Sequence, residues 1–358
     1  MSIISSAMPR ASRLAIAVCV ALVPMFPAFA DPSLPSTTLE SVEVHGTRPE
    51  LASAPSMQQA RTTLGERAGG TALVDADAYR DGRASTLTDA LGYAPGVFVQ
   101  SRFGAEEARI SIRGSGVQRT FHGRGIEVLQ DGVPLNLADG AFDMQAIEPL
   151  SARFIEVYRG ANALEYGAAT LGGAINFVSP TGFDAPMFDA RLEAGSFGYM
   201  REQLAVAGVS DDADGYLSLT GLQQDGYRAH SKQENYRLFG NAGYRFSDTL
   251  DGRVYLTHVD TASELPGNLT LAQSKADPRM ANAGNVALDQ RRDFTLDRIA
   301  GRLGWKPSEA DTLVVSTWLS DKSLHHPIYQ VLDQDSRDVG LDVRWRQEGD
   351  LAGLRNVF

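Results

Sequence analysis

The sequence predicts an α+β domain followed by an all-β, antiparallel transmembrane barrel, and three observations predict it. Residues 154–178 hold two short alternating strands, Ile155 to Tyr158 and Ala174 to Val178, around a compact turn studded with glycine. From Phe188 onward the pattern changes to longer strands with one apolar face and one charged face. In that second part short turns alternate with long connections, the asymmetry shown by barrels of outer membranes.

The chain opens with Arg10 and Arg13, an apolar run from Leu14 to Phe29, and the small-residue end Ala28-Phe29-Ala30. This order is that of a secretory signal peptide cleaved before Asp31. The apolar run is interrupted by Pro24 and Pro27 and is short for a membrane span of about 20 residues. The one cysteine, Cys19, lies inside this segment, so the mature chain has neither disulfide nor thiol chemistry. Cleavage removes two arginines and no acid, taking the formal charge from -11 to about -13. An acidic chain of this kind is a poor nucleic-acid binder. No later segment approaches about 20 uninterrupted apolar residues, so any membrane span must be made of strands.

Residues 31–70 are rich in Pro, Ser, Thr and Ala without a sustained period and read as a flexible leader. Within it, residues 38–47 contain Leu39-Glu40-Ser41-Val42-Glu43-Val44, in which Val42 and Val44 alternate with polar neighbours like a strand without a local partner. Residues 71–180 read as one mixed unit. Thr86-Leu87-Thr88-Asp89 offers a capping-box start to a helix whose Leu87, Ala90 and Leu91 share a face. Pro95-Gly96 ends it and Val97-Phe98-Val99 follows as a strand. Ala108, Ile110 and Ile112 alternate with Arg109, Ser111 and Arg113 before Gly114. Ile126 to Gln130 then turns at Asp131-Gly132 into Val133-Pro134-Leu135, a hairpin. Gly114-Ser115-Gly116 is not a nucleotide loop, because a strand and not a helix follows it.

The run Ile155-Glu156-Val157, Arg159-Gly160, Tyr166-Gly167, Gly172-Gly173, Ile175-Asn176 resembles the last part of the plug domain of TonB-dependent outer-membrane receptors. The preceding order L-x-x-A-L-x-x-x-P-G-V, I-R-G (Arg113, Gly114) and V-L-x-D-G-V-P-L (Asp131, Gly132) is similar to the rest of that plug. The resemblance makes Leu39 to Val44 similar to the TonB box, which pairs edge-on with the energy-coupling protein TonB through main-chain bonds. The stretch between signal peptide and box is too short for a folded periplasmic signalling domain.

Residues 187–358 read as the N-terminal part of the barrel. Phe188, Ala190, Leu192 and Ala194 alternate with Asp189, Arg191 and Glu193. Tyr236, Leu238, Ala242, Tyr244 and Phe246 alternate with Arg237, Asn241 and Arg245, and Val339, Leu341, Val343 and Trp345 with Asp342, Arg344 and Arg346. Short turns are expected near 211–215, 247–252 and 307–311, and long connections near 225–235, 262–292 and 324–337. The alternation after Phe294 is less clean. About eight strands are expected here, whereas plugged transporters have about 22. Because Leu351-Ala352-Gly353-Leu354 is no alternating strand, the chain is expected to be an N-terminal fragment.

No catalytic constellation is present, so the chain is not expected to be an enzyme and no cofactor or resident metal is expected. His122, His230, His258, His325 and His326 lack Cys or carboxylate partners at metal-ligand spacing; the pair His325-His326 reads as a loop. Arg102, Arg119, His122 and Arg124 stand as unpaired cations in glycine-rich loops that the resemblance places at the external face of the plug. Arginine suits anionic chelate oxygens because its donors form a fixed fork; salt bridges to the barrel wall are the alternative use. Residues 264–278 resemble an external loop of ferric-citrate-type members. The resemblance thus implies import of a ferric siderophore or chelate across the outer membrane, with TonB and outer-membrane lipid as partners. Cobalamin, a copper chelate or a carbohydrate are alternative cargoes, and a passive barrel or adhesin is the alternative from another class.

Overall fold

The computed structural model describes residues 51–67, 69–84, 86–102, 107–115, 123–168, 170–352 and 354–357, which belong to one compact unit. The signal peptide and the segment 38–47 lie outside the described residues.

The first domain is built on a five-stranded mixed sheet of order β1-β6-β7-β4-β5. Its strands are β1 (Thr71–Asp75), β4 (Ile126–Gln130), β5 (Val133–Pro134), β6 (Phe154–Arg159) and β7 (Gly173–Val178). A separate hairpin joins β2 (Val97–Arg102) to β3 (Glu107–Ile112). Both strands of the predicted 154–178 run are present and pair with each other, Ile155 opposite Phe177 and Tyr158 opposite Ala174. The apolar residues of β4, β6 and β7 bury Ile126, Val128, Ile155, Val157 and Ile175 against Leu87, Ala90 and Leu91 of a helix. That helix, α3 (Leu87–Leu91), follows α1 (Met57–Glu66) and α2 (Asp77–Arg80), and starts with the expected capping box between Thr86 and Asp89. Asp131 and Gly132 both take positive φ, 53° and 75°, as a two-residue type I′ hairpin turn requires.

The leader is not featureless up to Gly70. Helix α1 is capped by Ser56, whose Oγ accepts from Gln59 N at 3.1 Å, and it buries Ala60 and Leu64 on the sheet. Apart from these, only Met57 packs against the core from this helix, too little to show as a period in a polar stretch.

The second part is a nine-stranded antiparallel meander in which each strand pairs with its sequence neighbours. It comprises β8 (Phe188–Ala194), β9 (Met200–Ser210), β10 (Ala213–Gln224), β11 (Gln233–Arg245), β12 (Leu250–Glu264), β13 (Arg291–Trp305), β14 (Asp311–Pro327), β15 (Val331–Leu351) and β16 (Leu354–Val357). Residues 211–212, 246–249 and 306–310 turn at one end. At the other end, 225–232 and 265–290 make the long connections, the latter containing α4 (Leu271–Ala276) and α5 (Ala283–Ala287). Leu204, Leu256, Ile299, Leu341 and Trp345 face outward and are exposed, whereas Arg201, Gln203, Asn235, Arg253 and Thr261 face inward and are buried. This polarity is the reverse of a soluble sandwich and is that of a wall bounded by lipid.

The long connection expected over 324–337 is absent. Strands β14 and β15 run through it, His326 opposite Leu332, and turn within residues 328–330. The outward residues here, Ser323, His325, Asp333, Asp335 and Arg337, are polar, so no hydropathic alternation marks the strand. His325 and His326 consequently lie on opposite faces of a strand and cannot act as a pair. His325 Nδ1 meets Asp333 Oδ1 at 2.6 Å outside, while buried His326 meets the Arg291 carbonyl at 2.6 Å. Leu351 and Leu354, read as non-strand, are strand residues that pair with each other, and Ala352 takes φ 54°.

Candidate functional site

The inner face of the wall closes on the first domain through charged side chains that the sequence places far apart. Asp143, following the Gly123–Phe142 bridge, accepts from Arg292 of β13 at 2.8 Å and from Lys322 of β14 at 2.9 Å. Their side chains are 3–4% exposed. Glu148 caps a 3-10 turn at Leu150 N, at 2.9 Å, and pairs with Arg201 of β9 and with Arg237 of β11 at 3.6 Å.

Nearer the short-turn end, the Asp131-Gly132 hairpin is held from both sides. Ser179 donates twice to the Asp131 carboxylate, from N at 2.8 Å and Oγ at 2.7 Å, and Gly132 N donates to Asn176 Oδ1 at 2.8 Å. From the wall, Arg302 donates to the Asp131 carbonyl and Arg344 to the Gly132 carbonyl at 3.1 Å. Arg344 also lies over the Tyr166 ring, 4.6 Å from its centroid. Asn176 Nδ2 and Tyr158 Oη both donate to Glu156 Oε2, at 2.8 and 3.1 Å. A cleft of about 1030 Å³ opens beside this network, lined by Arg67, Glu156, Tyr158, Arg302, Lys306 and Arg344.

The predicted motif residues fall in two groups, Asp131, Gly132 and Asn176 towards one end of the plug sheet and Arg113, Gly114, Arg159, Gly160, Gly172 and Gly173 at the other. Arg159 ties three segments together: it donates to the Thr71 carbonyl at 2.9 Å and to the Pro95 carbonyl. The Arg113 guanidinium covers Gly160, where a methyl group would lie 2.5 Å from its Nη1. Gly167, at φ 106°, ends the 3-10 turn Gly160–Tyr166, and Gly172 packs on Ser115 beside Gly114. The expected cation cluster is not assembled in the same way. Arg119, His122 and the side chain of Arg102 lie outside the described residues. Arg124 is not unpaired, because Asp139, fifteen residues on, folds back to it in an ion pair. Glu148, Asp143 and their wall partners were missed by sequence reasoning, since nothing local distinguishes them from solvated charges.

Burial acts on three acids of the plug. It pushes Glu127 up to about 7 from 4.5, against the pull of the Arg344 guanidinium, and raises Asp131 and Glu156 in the same direction. A carboxyl raised on folding stabilises the folded state below its unfolded pKa, and that contribution is lost as pH rises through the folded value. The native domain is therefore expected to lose roughly 3 kcal/mol from Glu127 between about pH 4.5 and 7. Thermal melting of the full-length protein at pH 5 and 8 checks this; Glu127→Gln should narrow the difference, and an unchanged gap would contradict it.

Residues 64–174 match the family model of the TonB-dependent receptor plug domain. The match covers β1 to β6 and the start of β7, and the strand wall follows it from Phe188. The chain carries a TonB-dependent receptor plug domain over residues 64–174. Its plug and wall are also similar in fold to the ferric citrate transporter FecA in its unliganded form, with a TM-score of 0.69 at 18% identity over 82% of this chain and 46% of that one. The ferric yersiniabactin uptake receptor FyuA of Yersinia pestis superposes with a TM-score of 0.62 at 15% identity, covering 79% of this chain and 46% of FyuA. Among curated relatives, a hemin receptor of Yersinia enterocolitica is 23% identical over 63% of this chain and 34% of its own length. The vitamin B12 transporter BtuB of Vibrio vulnificus is 26% identical over 51% of this chain and 31% of its own. The chain thus spans about a third of the length of these relatives.

Proposed function

We propose that this chain supplies the plug and the first part of the barrel wall of an outer-membrane receptor that imports a ferric siderophore or other ferric chelate, driven by TonB. It acts as a transporter and not as an enzyme. The observation that carries the reading is the entry of the leader. Ala52 N and Ser53 N both donate to the Asp251 carboxylate, each at 2.9 Å, and Tyr255 Oη donates to the Ser53 carbonyl at 3.3 Å. Asp251 follows the turn 246–249, so the chain enters the compact unit at the short-turn end. Outer-membrane barrels keep their short turns on the periplasmic side, which is where TonB would reach Leu39 to Val44.

In this reading cargo arrives at the long-loop end, and coupling requires that it favour the state with the box exposed. A ferric chelate is supported by the names that the similar proteins bear, and haem or cobalamin are the competing cargoes. Arg102, Arg119, His122 and Arg124 are proposed contacts; Arg124 would have to exchange Asp139 for the cargo.

The test separates binding from uptake in the full-length receptor. Val42→Pro removes a main-chain donor needed for strand addition. Uptake of a radiolabelled ferric chelate under iron limitation should fall to the level of cells lacking the gene, with surface binding unchanged. Normal uptake by the proline variant would dismiss residues 39–44 as the coupling segment.

A further inference from the structure

Strand β13 turns Arg292, Arg298 and Arg302 toward the plug between its long-loop and short-turn ends. Ten residues of extended chain cover roughly 34 Å, comparable with the roughly 30 Å apolar core of a bilayer. Lys322 of β14, opposite Leu296, fills the gap between the first two arginines. Arg344 of β15, opposite Val314, continues beyond Arg302. Five cations on three adjacent strands therefore form a file along the inner wall.

On the plug side this file is met by oxygens of residues 131–143. The Asp143 carboxylate takes Arg292 and Lys322, and the carbonyls of Asp131 and Gly132 take Arg302 and Arg344. Arg298 differs. It is 7% exposed, and its buried Nη2 meets no hydrogen-bond partner among the described residues. It lines two cavities of about 10 and 20 Å³, each on the order of the space for one water. Asp131 and Asp338 attract the group through space without a hydrogen bond to it, and an orphaned buried donor calls for a use outside the resting state.

The geometry points to a track for an anionic cargo: the file from Arg292 to Arg344 passes a chelate bearing carboxylate-like oxygens, and plug residues 131–143 close it by occupying its donors. This rests on the import reading and adds the class of cargo. When that segment withdraws, its oxygens leave donors that an anionic chelate takes over in turn. Arg298, which holds no plug oxygen, bridges the steps on either side. The fork of each guanidinium suits planar carboxylates, whereas a neutral chelate gains nothing from the file.

Arg298→Gln tests the track without cutting a plug anchor. Uptake and surface binding are measured in cells with the full-length receptor, using radiolabelled ferric citrate, which is anionic, and a neutral ferric trihydroxamate. The uptake rate of ferric citrate should fall about tenfold, the equivalent of one charge-assisted bond. Its surface binding and the uptake of the neutral chelate should not change, and Arg298→Lys should restore most of the rate. An unchanged citrate rate, or equal loss for both chelates, overturns the track while import stands. So does a parent receptor that imports the neutral chelate and not the anionic one. A parent that imports neither of these nor any other of a panel of anionic and neutral ferric chelates overturns the import reading, and the track with it.

Discussion

Asp143→Ala is expected to destabilise the plugged receptor by roughly 3–5 kcal/mol, because it removes the buried carboxylate that two buried cations share. Arg292 and Lys322 both reach the one carboxylate, and neither side chain has access to water that could replace it. The loss is therefore not the worth of a surface pair, which is typically under about 1 kcal/mol. It is the cost of keeping two cations buried after the carboxylate they share is gone. Thermal melting in detergent, followed by protease cutting within residues 123–180, reads this directly. The triple change Asp143→Leu, Arg292→Met, Lys322→Met should recover most of the stability, since replacing a whole buried ionic group by apolar side chains is often neutral. If the single and triple variants melt together, the ionic account of plug seating fails.

Gly173→Ala is expected to be comparably damaging for a different reason. Gly173 starts β7 at φ 147°, and a methyl group there would lie 2.1 Å from the Tyr158 carbonyl oxygen of the neighbouring strand. Backbone cannot swing aside as a side-chain tip can. Strain at such a φ costs on the order of 1–3 kcal/mol and overpacking typically about 1–3 more, so a loss of roughly 2–6 kcal/mol follows. Gly167 provides the control. Its φ is 106°, yet nothing stands within 4 Å of the added methyl. Gly167→Ala should therefore show the strain alone, roughly 1–3 kcal/mol. Equal melting losses in the two variants would show that the contact with Tyr158 does not matter.

The two predictions draw on features that differ in how far the sequence announces them. The glycines, Arg159 and Asn176 stand in a run whose pattern marks the strands and the turn between them and carries the resemblance to the plug domain. Asp131-Gly132 likewise declares its own turn, because both positions take positive φ and those two residue types tolerate it. Asp143 announces nothing. Its partners lie 149 and 179 residues away, on strands that approach it only when the wall curves round the plug.

What the sequence by itself determined is the local and periodic part: the signal peptide pattern, the plug strands, the Asp-Gly hairpin and the outward apolar face of the wall. Each follows from a period of two, or from a residue type that few backbone conformations admit. Tertiary structure alone decided the pairing of Asp143 and Glu148 with wall cations and the seating of α1. It also decided the capture of Arg124 by Asp139, and the continuation of β14 and β15 where polar residues face out on both sides. The physical reason is the same in each case. A charge has no period, and its partner is chosen by proximity in the folded chain, where burial turns a pair that water would screen into one that holds two domains together.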